Sequence, residues 1–191
     1  MIEIKQVDTT YFTQYDMIPM LVHVECEYKV VKLNNGLGGI TFVETPVKPY
    51  VKNFCVGKDE SVTRWLRWDL SNWGFFIAFD GEAPVGAAAV ATRTKDVNML
   101  CERDDLAVLW DIRVADKYKQ QGIGHALFQK TVEWSKAQGM SQMKIECQNN
   151  NVPAVNFYHR QGAILGSIDE YAYYNDPYAK GETQFIWYLD L

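Results

Sequence analysis

The segment Trp110-Asp-Ile-Arg-Val-Ala-Asp-Lys-Tyr-Lys-Gln-Gln-Gly-Ile-Gly-His-Ala-Leu-Phe128 constrains this chain more than any other. An apolar strand, Leu106 to Val114, runs into a polar loop, two glycines and an amphipathic pattern. Ile123, Ala126, Leu127, Trp134 and Ala137 recur at helical steps, and Gly139 stands where a helix-ending glycine belongs. A strand that turns into a helix through such a loop aims backbone N–H groups at one spot, with the helix's positive end behind them. A phosphate or pyrophosphate suits that place, and Gly122 and Gly124 let it come close because no Cβ intervenes. The dinucleotide pattern G-x-G-x-x-G fails at Leu127, and the P-loop pattern is absent. On these residues alone, a ligand-free tight turn stays open.

Around this segment the periodicities predict a mixed α/β order. Ile2 to Val7 alternates as a half-buried strand does. Residues 8 to 70 carry Asn34-Asn-Gly-Leu-Gly-Gly39 and three of the six prolines, Pro19, Pro46 and Pro49, which predicts short elements joined by turns. A helix is expected after Asp59 as N-cap, with Val62, Trp65 and Leu66 on one face. Trp73 to Phe79 and Val85 to Thr92 flank Asp80-Gly81, a hairpin signal lengthened by Glu82-Ala-Pro84. Later come a strand Met143 to Cys147, a short helix Ala154 to Arg160 closed by Gly162, and a closing strand pair, Ile168 to Tyr174 and Phe185 to Leu189. The 191 residues are expected to form a single domain. Residues 1–72 would be its variable acceptor-side region and 73–191 its motif-bearing core.

Charge and cysteines narrow the function classes. With 19 Lys+Arg against 24 Asp+Glu the net charge is −5, which repels nucleic-acid backbones and attracts a cationic small molecule. The four cysteines, Cys26, Cys55, Cys101 and Cys147, form no C-x-x-C pair, so neither metal-ligand spacing nor a redox motif is present. No secretory pattern opens the chain and no apolar run reaches a membrane span. A cytoplasmic protein without nucleic-acid or membrane partners is expected, with a homodimer left open.

Val114 followed by Lys119-Gln-Gln-Gly-Ile-Gly124 resembles motif A, [QR]-x-x-G-x-[GA], of the GNAT N-acetyltransferase superfamily. Asn151-Val-Pro-Ala-Val-Asn-Phe-Tyr-His-Arg-Gln-Gly162 resembles its motif B, N-x-x-A-x-x-F-Y-x-x-x-G. Lys119 departs from the usual Arg or Gln but keeps a donor, and Ala163 replaces a frequent Phe. Trp110-Asp-Ile-Arg-Val, Ile145-Glu-Cys-Gln-Asn-Asn-Asn-Val-Pro-Ala and Phe185-Ile-Trp-Tyr-Leu189 are similar to the streptothricin acetyltransferases within that superfamily. The resemblance covers roughly residues 75 to 191.

The resemblance implies a mixed, largely antiparallel twisted sheet flanked by helices, with strands splayed around acetyl-CoA. Main-chain groups of Ile112, Arg113 and Val114 would hold the pantetheine arm, and Lys119, Gln120, Gln121, Gly122, Ile123, Gly124 and His125 the pyrophosphate. Asn151, Ala154, Phe157 and Tyr158 would border the cofactor, with Tyr158 protonating the departing thiolate. A tyrosine's ordinary pKa of about 10 keeps its proton available at neutral pH. Direct attack by a primary amine requires a proton acceptor, because such amines have a pKa of about 10.4. Asp111 and Glu146 are the candidates, and an Asp111–Arg113 ion pair is the competing reading of the first. Cys147 reads as packing, since no His partner accompanies it. The implied acceptor is a small cationic amine, a streptothricin-type antibiotic among them. A protein N-terminus or lysine as acceptor, or a non-catalytic CoA-binding module, are the alternatives.

Overall fold

The computed structural model describes residues 1–55 and 61–191, so the expected N-cap Asp59 lies outside the described residues. In chain order the elements are β1 (Ile2–Val7), α1 (Phe12–Asp16), β2 (Leu21–Lys32), β3 (Ile40–Asn53), β4 (Trp73–Asp80), β5 (Ala83–Thr92), β6 (Leu106–Val114), α2 (Ile123–Ala137), β7 (Gln142–Gln148), α3 (Val152–Arg160), β8 (Ile164–Asp169) and β9 (Gln184–Asp190). They divide into two compact units. One comprises Met1–Leu21, Asn53–Ile145 and Tyr188–Leu191; the other comprises Val22–Lys52 and Glu146–Trp187.

The first unit is a sheet in the order β1-β4-β5-β6-β7, with β7 represented by its N-terminal half. Its first three pairings are antiparallel, and Leu106–Leu109 of β6 then pairs in parallel with Gln142–Ile145 of β7. The β4–β5 turn is tighter than the prolonged turn expected from Glu82-Ala-Pro84. Asp80 pairs with Ala83, leaving only Gly81 and Glu82 between, and Gly81 takes the φ of +62° that such a turn demands.

The small side chains of β5 are explained by what lies on its two faces. On one, Ala87, Ala89 and Ala91 meet Phe12, Tyr15, Trp65, Trp73 and Phe75 in a buried cluster. Trp65 stacks on Phe75 at 6.0 Å with the rings 9° apart, and T-shaped contacts join Phe12 and Tyr15 to Trp65. Trp65 and Trp73 are therefore core, and the half-buried Trp68 and Trp110 pack against them. Against the other face lies α2. A Cβ on Gly74 would stand 2.9 Å from the Trp134 ring, and one on Gly86 would stand 3.0 Å from Leu127. These two glycines let the helix sit close to the sheet. The helix ends as expected: Gly139 has φ +77°, Gly139 N–H donates to Lys136 O and Met140 N–H to Ser135 O.

The helix expected near Val62 is a short 3-10 helix, Val62–Arg67, capped by Ser61. Asp16 fastens it to α1 by accepting from Ser61 Oγ at 2.5 Å and Val62 N–H at 2.9 Å.

The second unit corrects the expectation of short elements in the N-terminal region. β2 and β3 are 12 and 14 residues long and, among the described residues, form a two-stranded sheet. Pro46 and Pro49 lie inside β3, which a two-stranded ribbon tolerates because each strand has a free edge. Asn34 and Asn35 make the connection at φ +47° and +54°, where asparagine is among the few side chains at ease. The C-terminal parts also differ from expectation. β8 is Ile164–Asp169, so the expected strand Ile168 to Tyr174 begins as its end and continues into turns. Within this unit β9 lies between β7 and β8.

Candidate active site

In the first unit the site grows from a break in alternation. Ala89 pairs with Asp111 but Val90 with Leu109, so Trp110 is an extra, bulged residue. Strict alternation would put Asp111 on the face of Leu109. The bulge instead puts Asp111 and Arg113 on the face covered by Tyr15, where Val108, Trp110 and Ala115 also pack. Among the described residues β6 pairs with β7 only through Leu109, so Trp110–Val114, including the main chain of Ile112, Arg113 and Val114, extends beyond that pairing.

The loop after β6 is built for a sharp reversal. Gln120 stands at φ +60° and Gly122 at φ +82°, where Gly122 is the N-cap of α2. The first intrahelical bond runs from Ala126 N–H to Gly122 O, so the N–H groups of Ile123, Gly124 and His125 point out of the helix end. A Cβ on Gly122 would meet nothing within 4 Å, and one on Gly124 would meet only Val114 at 3.8 Å. Two side chains beside the loop are already engaged. Lys119 Nζ donates to Leu21 O at 2.6 Å and pairs with Asp116 at 2.6 Å, and Gln121 Nε2 donates to Lys117 O at 2.9 Å. An anion here would face the backbone amides of the helix end.

Asp111 is engaged by three donors. Its Oδ1 accepts from Tyr15 OH and Arg113 Nε, both at 2.9 Å, and Oδ2 from Arg113 Nη2 at 2.5 Å. The guanidinium's Nη1 reaches Ile18 O at 3.2 Å and Cys55 Sγ at 3.5 Å. Both charged side chains are buried, at 8% and 5% exposure. Burial opposes the Arg113 charge, yet the facing Asp111 outweighs it and holds the guanidinium above its ordinary range. The Tyr15 phenol is pushed well up, by burial first and by Asp111 next. Asp111 is thus a buried, paired carboxylate, the competing reading of this residue.

In the second unit α3 buries Val152, Val155 and Tyr158 along one face. Tyr158 is buried, its ring in edge contact with Phe157 at 5.5 Å. Asn151 spends its side-chain oxygen as the helix cap, accepting Ala154 N–H at 3.3 Å. Gly162 closes the helix at φ +90°, with Ala163 N–H donating to Tyr158 O. Glu146 is half-buried on β7 and accepts from Tyr173 OH at 2.5 Å; Gln148 Nε2 donates to the same hydroxyl at 3.2 Å. Cys147 beside it is buried, and that burial pushes its thiol up to about 12. It stays protonated at neutral pH, which suits packing and not nucleophilic attack.

The Acetyltransferase (GNAT) family model matches residues 44–163. The chain belongs to the GNAT acetyltransferase family. This GNAT chain is 34% identical over 85 residues to streptothricin acetyltransferase of Escherichia coli, 44% of this chain and 49% of that protein. It is 37% identical over 82 residues to streptothricin acetyltransferase A of Bacillus subtilis strain 168, 43% of this chain and 47% of that protein. The matched part thus spans about half the length of these curated relatives. A Bacillus anthracis protein assigned as a streptothricin acetyltransferase, solved in complex with acetyl coenzyme A, shares the fold at TM-score 0.76 and 23% identity over 100% of both chains.

Within this GNAT chain, sequence reasoning missed the partners of both acidic residues. Tyr15 lies 96 residues from Asp111 and Tyr173 lies 27 from Glu146. It also missed the role of the asparagines before α3. Asn149 Oδ1 accepts Thr183 N–H at 2.8 Å and its Nδ2 donates to Tyr28 O at 3.1 Å, while Asn150 Nδ2 donates to Tyr50 OH at 3.0 Å and Glu182 at 2.8 Å. The run of three asparagines is the only local signal for these clamps.

Proposed function

We propose that this protein transfers the acetyl group of acetyl-CoA to a primary amine of a small cationic molecule, with streptothricin-type antibiotics as the substrate class. The observation that carries this reading is Gly124. Gly74 and Gly86 are explained by a helix that packs against them, and Gly122 by its φ. Gly124 has neither reason, although glycine in a helix is unfavourable by about 1 kcal/mol relative to alanine. Close approach of a ligand to the amides of the first turn supplies the reason, and a pyrophosphate fits an end where backbone N–H groups are the available donors. The streptothricin acetyltransferases of E. coli and B. subtilis support the substrate class.

Acetyl-CoA supplies a thioester whose acetyl carbon accepts the amine. The loop from Lys119 to His125 holds the pyrophosphate, and the main chain of Ile112, Arg113 and Val114 lines the pantetheine arm. Tyr158 gives its hydroxyl proton to the departing sulfur. Glu146 receives the ammonium proton, directly or through water, since the Asp111 carboxylate is already bound by three donors. The acidic balance of −5 favours a cationic acceptor.

Two measurements test this. CoA release is expected to rise on addition of streptothricin but not of a peptide with a free N-terminus. Acetyl-CoA binding without stimulation by any amine would exclude the enzymatic reading. Gly124→Ala is expected to fold with equal or greater stability, because the new methyl meets only an ordinary contact. Its acetyl-CoA affinity is expected to fall by tenfold or more in calorimetric titration, since the methyl occupies the anion's approach; about 1.4 kcal/mol corresponds to that factor. Unchanged affinity would remove the loop from the binding site.

A further inference from the structure

We infer that Tyr173 is the residue that positions Glu146 as proton acceptor, by donating its hydroxyl to Glu146 Oε1 and leaving Oε2 to take the ammonium proton. This rests on the reading of Glu146 as the acceptor in amine acetylation. The geometry selects Tyr173 from its neighbours. In Tyr171-Ala-Tyr-Tyr174 the two flanking tyrosines are 74% and 64% exposed, whereas Tyr173 is half-buried and turned towards β7. Its hydroxyl lies 2.5 Å from Glu146 Oε1, the short separation of a charge-assisted bond. Gln148 Nε2, 3.2 Å from that oxygen, donates to it and so directs the hydroxyl's own proton to Glu146. No other hydrogen bond reaches the Glu146 carboxylate among the described residues.

The arrangement keeps one carboxylate oxygen fixed and the side chain in one orientation, which a base on a flexible glutamate would otherwise lack. The proton balance is simple. Tyr173 keeps its proton on its own oxygen throughout, and the proton lost by the amine ends on Oε2. Tyr173 and Cys147 are the titratable groups beside Glu146; Gln148 and Gln184 are neutral. Burial and the nearby Glu146 push the Tyr173 phenol far up, and burial takes the Cys147 thiol to about 12. Both stay protonated near neutral pH, so neither competes with Glu146 for the ammonium proton.

The test compares wild type, Tyr173→Phe, Glu146→Gln and the double variant in CoA release with streptothricin, alongside proton NMR of the tyrosine hydroxyls. Tyr173→Phe is expected to lower kcat about tenfold, since the carboxylate loses the donor that fixes its orientation. KM for acetyl-CoA is expected to stay within about twofold, and the double variant to match Glu146→Gln alone. A downfield hydroxyl resonance is expected in wild type, moved upfield in Glu146→Gln and absent in Tyr173→Phe. An unchanged kcat in Tyr173→Phe, or additive losses in the double variant, would overturn the inference while leaving the functional reading intact. Wild type inactive with every amine would sink the functional reading and the catalytic half of this inference together. The hydroxyl resonance needs no acceptor: if it does not respond to Glu146→Gln, the pairing itself is overturned.

Discussion

Tyr158→Phe is expected to lower kcat by about 10²- to 10⁴-fold, the range that general acid catalysis spans. Tyr158 lies on the buried face of α3, and phenylalanine keeps the ring that meets Phe157 at 5.5 Å. On the proposed mechanism the substitution removes the proton for the departing thiolate, and nothing else on the buried face of α3 replaces it. The other α3 residues on that face, Val152 and Val155, are aliphatic. The loss should therefore appear in kcat, with acetyl-CoA affinity changed by no more than about twofold. Steady-state kinetics and calorimetric titration on the same preparation separate the two. Normal turnover would take the acid role away from Tyr158.

The second large effect falls on stability. Asp111→Ala leaves Arg113 buried without its carboxylate and leaves Tyr15 OH without its acceptor. Breaking a buried pair in this way costs about 3–5 kcal/mol, more than the pair would be worth against a well-packed apolar replacement. Urea denaturation of the first unit's tryptophan-rich core reads this, since Trp65, Trp73 and Trp110 report on it by fluorescence. A loss below about 1 kcal/mol would mean that the guanidinium finds other partners. Asp111→Asn completes the comparison. It keeps an oxygen for Tyr15 but cannot take a proton, so turnover of the folded variant is expected to persist. Its loss would return the base role to Asp111.

Much of this was legible locally. The helix after Gly122 and its closing Gly139 follow from a 3.6-residue apolar period and a left-handed glycine, and both are where the pattern predicts. The same holds for α3, ended by Gly162, and for β6, whose bounds Leu106–Val114 match the apolar run. The β2–β3 ribbon was hidden because Pro46 and Pro49 normally argue against a strand, and only their place in a two-stranded sheet makes them harmless. The bulge at Trp110 was hidden for another reason. A bulge is a mismatch between two strands and leaves no mark on either one alone.

By itself, then, the sequence determined the elements that short-range sterics and periodicity control, together with the glycine loop that opens α2. The tertiary structure decided what the acids do. Asp111 became half of a buried ion pair because the bulge turned it towards Tyr15, and Glu146 was left with one hydroxyl from Tyr173. The two carboxylates look alike in the sequence. A carboxylate's chemistry depends on which donors surround it, and donors 96 and 27 residues away are brought there only by the folded chain.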